Sequence, residues 1–177
     1  MDNLQPLGTT TPDGASSLIL IAGGAHSGKS QTARDMARMH NGTALVLASA
    51  NHSDPPPPKQ QADSPLSIPA PPDLAASILE NGSRYGVLLI DCLTEWLQSI
   101  IAEEPSDLET RLDVLLDAML KSPATVIAVT SEVGCGIEPE SPAAKRFRDE
   151  AGRLNQRCAA IAGEVYWMVF GCPLRVK

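Results

Sequence analysis

The sequence predicts a three-layer α/β fold, a mostly parallel sheet flanked by helices. Three observations carry this. Short apolar runs alternate with amphipathic stretches along most of the chain. A glycine-rich turn stands between the first apolar run and the first amphipathic stretch. The 177 residues, 43% hydrophobic, suffice for one domain with a real core and are too few for two full-sized ones.

Residues 1–16 are polar and broken by Pro6, Pro12 and Gly14, which reads as a loose, disordered tail ahead of a single domain over 17–177. Leu18–Ala22 is the first buried strand, and a helix runs from Lys29 to about His40, whose imidazole would face the helix's negative end. Thr43–Ala48 is the second strand. Eight of the fifteen prolines then fall within residues 51–72. Each proline fixes φ and removes a backbone donor, so this stretch reads as an extended loop and excludes a helix or an interior strand.

Asp73 caps a short helix to about Asn81, and Gly86–Ile90 is the third strand, ending in Asp91. Leu93–Ala102 is helical. Ser106-Asp107-Leu108-Glu109 has the pattern of a capping box opening a helix to about Lys121. Ala124–Val129 is the fourth strand. Ser141-Pro142, a hydroxyl N-cap followed by proline at the first helical position, opens a long helix. Its apolar stripe is Ala144, Phe147, Ala151, Leu154, Cys158 and Ile161. Gly152 inside it costs about 1 kcal/mol relative to alanine, which predicts close approach by a ligand or another backbone. Glu164–Phe170 is the fifth strand, and Leu174–Lys177 adds an edge strand.

A net charge of −7 argues against nucleic acid or an anionic membrane as the main partner. No apolar run reaches the roughly 18–20 residues of a membrane helix, and Met1-Asp2-Asn3 lacks the basic flank of a secretion signal. The four cysteines form no CxxC pair and have no histidine at zinc-site spacing, so they read as reduced thiols and the protein as cytoplasmic.

The strongest chemical signal is Gly23-Gly24-Ala25-His26-Ser27-Gly28-Lys29-Ser30, a G-x-x-x-x-G-K-[ST] phosphate-binding loop in its required setting between strand and helix. Its backbone N–H groups would curl around a phosphate chain, and the helix N-terminus adds positive potential. Lys29 would bridge β- and γ-phosphate oxygens, and the Ser30 hydroxyl would ligate Mg²⁺. Asp91, at the C-terminal end of a buried apolar strand, is the natural second contact to the metal or its water shell. Glu132 leaves the fourth strand at the same sheet edge, a candidate substrate contact or a surface-loop glutamate. Arg153 and Arg157, at i and i+4 on the long helix, are candidate phosphate contacts or members of a solvated face. No N-K-x-D guanine motif is present, which favours a small kinase or nucleotidyltransferase over a signalling GTPase.

Further blocks carry a family resemblance: Ile90-Asp-Cys-Leu-Thr-Glu-Trp-Leu97, Ser131-Glu-Val-Gly-Cys-Gly-Ile-Glu-Pro-Glu140, Arg146-Phe-Arg-Asp-Glu-Ala-Gly-Arg-Leu-Asn-Gln-Arg157 and Gly171-Cys-Pro-Leu-Arg-Val-Lys177. With the phosphate loop and Glu164-Val-Tyr166, these resemble the bifunctional adenosylcobinamide kinase/adenosylcobinamide-phosphate guanylyltransferase family over about residues 18–50 and 73–177.

The resemblance implies phosphorylation of adenosylcobinamide by GTP or ATP. A histidine then takes GMP from GTP and passes it to the new phosphate. It further implies a homotrimer, triphosphate binding by Gly23 to Ser30, and Ser49, Ala50 and Asn51 beside the nucleotide. Three departures accompany it, one being Pro69 or Ala70 where the family has a glutamate just before the following helix. His26 stands where the family usually has arginine. The acidic helical segment ending in the GMP-carrying histidine is replaced by the proline-rich 51–72, where His52 is the nearest histidine. His52 is therefore either the GMP acceptor or a solvent-facing loop residue, and His26 is the other candidate acceptor. A kinase-only enzyme, or a homologue that binds nucleotide or corrinoid without turnover, is the alternative function.

Overall fold

Six consecutive buried residues, Leu18–Gly23, form a strand covered on both faces (β1), and the rest of the fold is arranged around it. The computed structural model describes residues 18–40, 43–48, 66–103 and 106–177. After β1 come α1 (Lys29–Met39), β2 (Ala44–Ala48), β3 (Leu66–Pro69), α2 (Leu74–Gly82) and β4 (Val87–Asp91). Then follow α3 (Leu93–Ala102), α4 (Leu108–Lys121), β5 (Thr125–Ser131), α5 (Pro142–Ile161), β6 (Glu164–Val169) and β7 (Cys172–Arg175). The sheet order is β3-β2-β4-β5-β1-β6-β7, parallel except for the β6–β7 pair.

Strand side chains alternate between faces, and this sorts the core into two layers. Leu18, Leu20, Leu88, Ile90 and Val126 pack with α2, α3, α4 and α5 on one face. Ile19, Ile21, Leu89, Ile127 and Val129 meet Ala33, Met36 and Ala37 of α1 on the other. Each such side chain removed from water contributes about 1.5–3 kcal/mol. The consequence for the site is that β1, β4 and β5 end at one edge, held from both sides. Among the described residues no helix is long and apolar enough to cross a membrane.

The expected strands and helices occur in the expected order, with four differences. The proline-rich loop gives way before residue 72: Leu66–Pro69 form β3, parallel to β2, with Pro69 opposite Ala48. An edge strand serves a ladder on one side only, so proline is tolerated there, and Ala70 N–H donates to Ala48 O at 2.6 Å. At α4 the N-cap is Asp107, without a side-chain capping bond, so the Ser106–Glu109 box does not form. The last strand, β7, begins at Cys172 and ends at Arg175, earlier than expected. Gly152 faces open space, with nothing within 4 Å of where a Cβ would stand, so no other backbone among the described residues makes the expected close approach. Gly152→Ala therefore raises stability by up to about 1 kcal/mol, read from the denaturant midpoint. The predicted tail 1–16 lies outside the described residues.

The caps at Asp73 and Ser141 do form, accepting from Ala76 N at 2.9 Å and Ala144 N at 3.2 Å. Of the α5 stripe, Ala151, Leu154 and Cys158 are fully buried, and burial pushes the Cys158 thiol up to about 12.

Candidate active site

The chain leaves β1 at Gly23 and enters α1 at Lys29 through a turn that sterics dictate. A Cβ on Gly23 would lie 2.9 Å from Met168 Cβ and 3.1 Å from Met168 O, on the neighbouring strand β6. Gly28 caps α1 in the left-handed region, φ 93°, where only glycine is unstrained. Thr32 N–H donates to Gly28 O at 3.0 Å, so the helix begins directly at the loop.

The loop borders a cavity of about 420 Å³ lined by Ala25 to Gln31, with Cys92, Glu95, Val129 and Ser131 opposite. Lys29 is 8% exposed, and its Nζ donates to Gly24 O at 2.6 Å. Burial holds its ammonium below the ordinary 10.5, while negative potential from Cys92, Asp91 and Glu95 pulls the other way. Ser30 Oγ donates to Asp91 Oδ1 at 2.9 Å, and Arg34 lies 3.4 Å from Asp91 Oδ2. Asp91 itself is wholly buried. A hydroxyl and a carboxylate so placed are hard oxygen donors that fit Mg²⁺, which takes one or two protein ligands and completes its shell with phosphate and water.

A chain of hydroxyls stiffens the far wall. Ser131 N–H donates to Thr94 Oγ1 at 2.7 Å, and Thr130 Oγ1 donates to Asn155 Oδ1 at 2.6 Å. The Thr94–Thr130 contact of 2.8 Å is then donated by Thr94, because each hydroxyl has one proton. Asn155 Nδ2 closes the network on Ser131 O at 3.3 Å. Thus α3, β5 and α5 are tied together beside the loop. Of the four buried side-chain atoms without a hydrogen-bond partner among the described residues, two belong to residues lining this cavity: Ser27 Oγ and Glu95 Oε2. Polar atoms short of partners at one cavity are what a ligand would satisfy.

The family model of cobinamide kinase / cobinamide phosphate guanyltransferase (CobU) matches residues 19–176. The chain belongs to this family. Over 166 residues it is 32% identical to the bifunctional adenosylcobalamin biosynthesis protein CobP of Pseudomonas aeruginosa, covering 89% of this chain and 96% of that protein. It is 29% identical over 192 residues to the corresponding CobU of Salmonella typhimurium, covering 90% of this chain and 99% of the relative. Among solved structures, the flagellar accessory protein FlaH from Methanocaldococcus jannaschii has a TM-score of 0.51 at 12% identity, over 91% of this chain and 78% of that one. That likeness extends to the fold alone.

Within this member of the cobinamide kinase family, the structure brings Gly23 to Ser30 and Asp91 to one place. His26, at φ 54°, is exposed on the loop. Glu132 is at the same edge, its N–H donating to Gly23 O at 3.1 Å. Its carboxylate is turned back to accept from Gly134 N at 2.6 Å. Arg153 and Arg157 are not among the cavity's lining residues. Arg153 pairs with Glu150 at 2.8 Å, and Arg157 pairs across to Glu109 and Asp113 of α4. Ser49, Ala50, Asn51 and His52 lie outside the described residues. Two contributors were not singled out from the sequence, Arg34 and Glu95. Arg34 lies one helical turn past Ser30, a spacing that shares its face; Glu95 had no signal beyond its place in the block after Asp91.

Proposed function

We propose that this protein phosphorylates the alcohol of adenosylcobinamide with GTP or ATP and then transfers GMP from GTP to the product, acting in the cytoplasm as a homotrimer. The observation that carries the reading is the phosphate loop joined to Asp91 through Ser30 at one cavity, in a chain matched nearly end to end by this family. In the kinase step the alcohol oxygen bonds to the γ-phosphorus and the bond to the β-phosphate oxygen breaks, releasing nucleoside diphosphate. Lys29 neutralises charge on the transferring group, the loop N–H groups hold the triphosphate, and the Ser27 hydroxyl gains its missing partner there. Ser30 and Asp91 would hold Mg²⁺, which supplies further charge neutralisation when bound. Ser49, Ala50 and Asn51 lie beside the nucleotide in this reading, and His52 receives GMP.

A second reading, kinase only, is motivated by the eight prolines that occupy the place of the family's histidine segment. One assay separates the two. With adenosylcobinamide and α-labelled GTP, the bifunctional enzyme yields phosphorylated corrinoid and an acid-labile, base-stable protein label that His52→Ala removes. Phosphorylated corrinoid without label establishes the kinase alone. Neither product, with nucleotide still bound, leaves a binding homologue and refutes the proposal.

A further inference from the structure

Glu95 lies in the first turn of α3 and lines the same cavity as Lys29 and Ser30. Its Oε2 is buried and has no hydrogen-bond partner among the described residues. A buried acceptor left unsatisfied is destabilising, and more so when charged. A carboxylate beside a polyphosphate is also repelled by it. The fold nevertheless keeps Glu95 in place on a rigid support. Thr94, its neighbour, is locked between Ser131 N–H and Thr130, and Trp96 on its other side is buried with its indole N–H on Pro72 O at 3.2 Å.

What Oε2 lacks is a donor, and phosphoryl transfer brings one, the hydroxyl of the acceptor. The other carboxylate at the site, Asp91, is engaged on both oxygens by Ser30 and Arg34. Glu132, at the same edge, is folded onto Gly134 N–H. Glu95 is the one carboxylate among the cavity's lining residues.

Resting on the kinase reading above, we propose that Glu95 is the general base of phosphoryl transfer. Its carboxylate, carried on a side chain that lines the cavity, accepts the proton of the acceptor hydroxyl as that oxygen forms its bond to the γ-phosphorus. The electron pair of the breaking γ-phosphorus–oxygen bond leaves with the nucleoside diphosphate, and the proton passes from the Glu95 carboxyl to solvent after release.

The test is steady-state phosphorylation of adenosylcobinamide by the full chain. Glu95→Gln lowers kcat by about 10²–10⁴-fold, the range for loss of a general base, while the KM for nucleotide and its Kd by calorimetry stay within about threefold of wild type. Glu95→Asp, a carboxylate one methylene shorter, recovers part of the rate. A Glu95→Gln enzyme with wild-type kcat overturns the proposal. So does one whose loss lies in nucleotide affinity, which would make Glu95 a binding residue. Should Glu95→Gln fail to fold, Glu95→Asp decides: reduced kcat at unchanged KM supports the base, and undiminished kcat overturns it. A wild-type protein that phosphorylates no corrinoid removes the kinase reading and the base with it, an outcome distinct from equal rates in wild type and variant.

Discussion

Lys29→Ala abolishes phosphoryl transfer, with kcat down by at least about a thousandfold, the upper end for removing one donor aimed at developing charge. Two features make the effect this large. The ammonium sits at 8% exposure, where water screens it little, and it is already desolvated before any ligand arrives. Its partner in this structure is Gly24 O at 2.6 Å, on the loop itself, so a polyphosphate oxygen replaces a neutral carbonyl with an anion. Calorimetry with GTP and with ATP should show binding lost in the variant while the melting temperature stays near wild type. The pH dependence follows from the same burial. Desolvation lowers the Lys29 pKa below 10.5, and loss of its proton removes the positive charge facing the phosphates. Nucleotide affinity therefore falls as pH rises through a value below 10.5. Lys29→Arg, charged at every accessible pH, should lose that alkaline limb even where it is a poorer catalyst.

Asp91→Ala combines loss of activity with loss of stability. The carboxylate is wholly buried at the end of β4 and accepts from Ser30 Oγ and Arg34. Removing it leaves the Ser30 hydroxyl without its acceptor and the partly exposed Arg34 without its partner, a loss of about 1–3 kcal/mol. For a domain of this size that is a fall of roughly 5 °C in Tm. Asp91→Asn keeps the shape and an acceptor oxygen, so thermal melting should show a smaller loss. Both variants should fail to phosphorylate, because Asn lacks the charge that complements a divalent cation. A variant of either kind that melts and turns over like wild type would dissociate Asp91 from the site.

The elements that were legible in advance share a property: each has a strong local cause. The run Leu18–Gly23 is apolar at every position, so it is a strand covered on both faces wherever it is placed. The loop from Gly23 to Ser30 needs glycine where a Cβ would strike Met168 and where φ is 93° at Gly28, requirements of backbone geometry that a short motif records. Asp73 and Ser141 cap helices through bonds three residues away. The misreadings arose where two local rules competed or where the deciding partner was distant. Prolines argued for a loop at residues 66–69, yet the free side of an edge strand tolerates them. A glycine at 152 suggested close approach by a ligand or another backbone, and no backbone among the described residues comes near it.

By itself, then, the amino-acid order determined the α/β layering, the phosphate loop and the terminal Asp of a buried strand, because strand burial, glycine sterics and helix capping act within a few residues. Only the tertiary structure decided which side chains share the cavity. Arg157 turned to the carboxylates of α4, Arg34 came to Asp91, and Glu95 came to the cavity beside the loop. Those outcomes depend on strand order and on how helices far apart in the chain pack across the sheet, and a carboxylate's role follows from which donors it meets there.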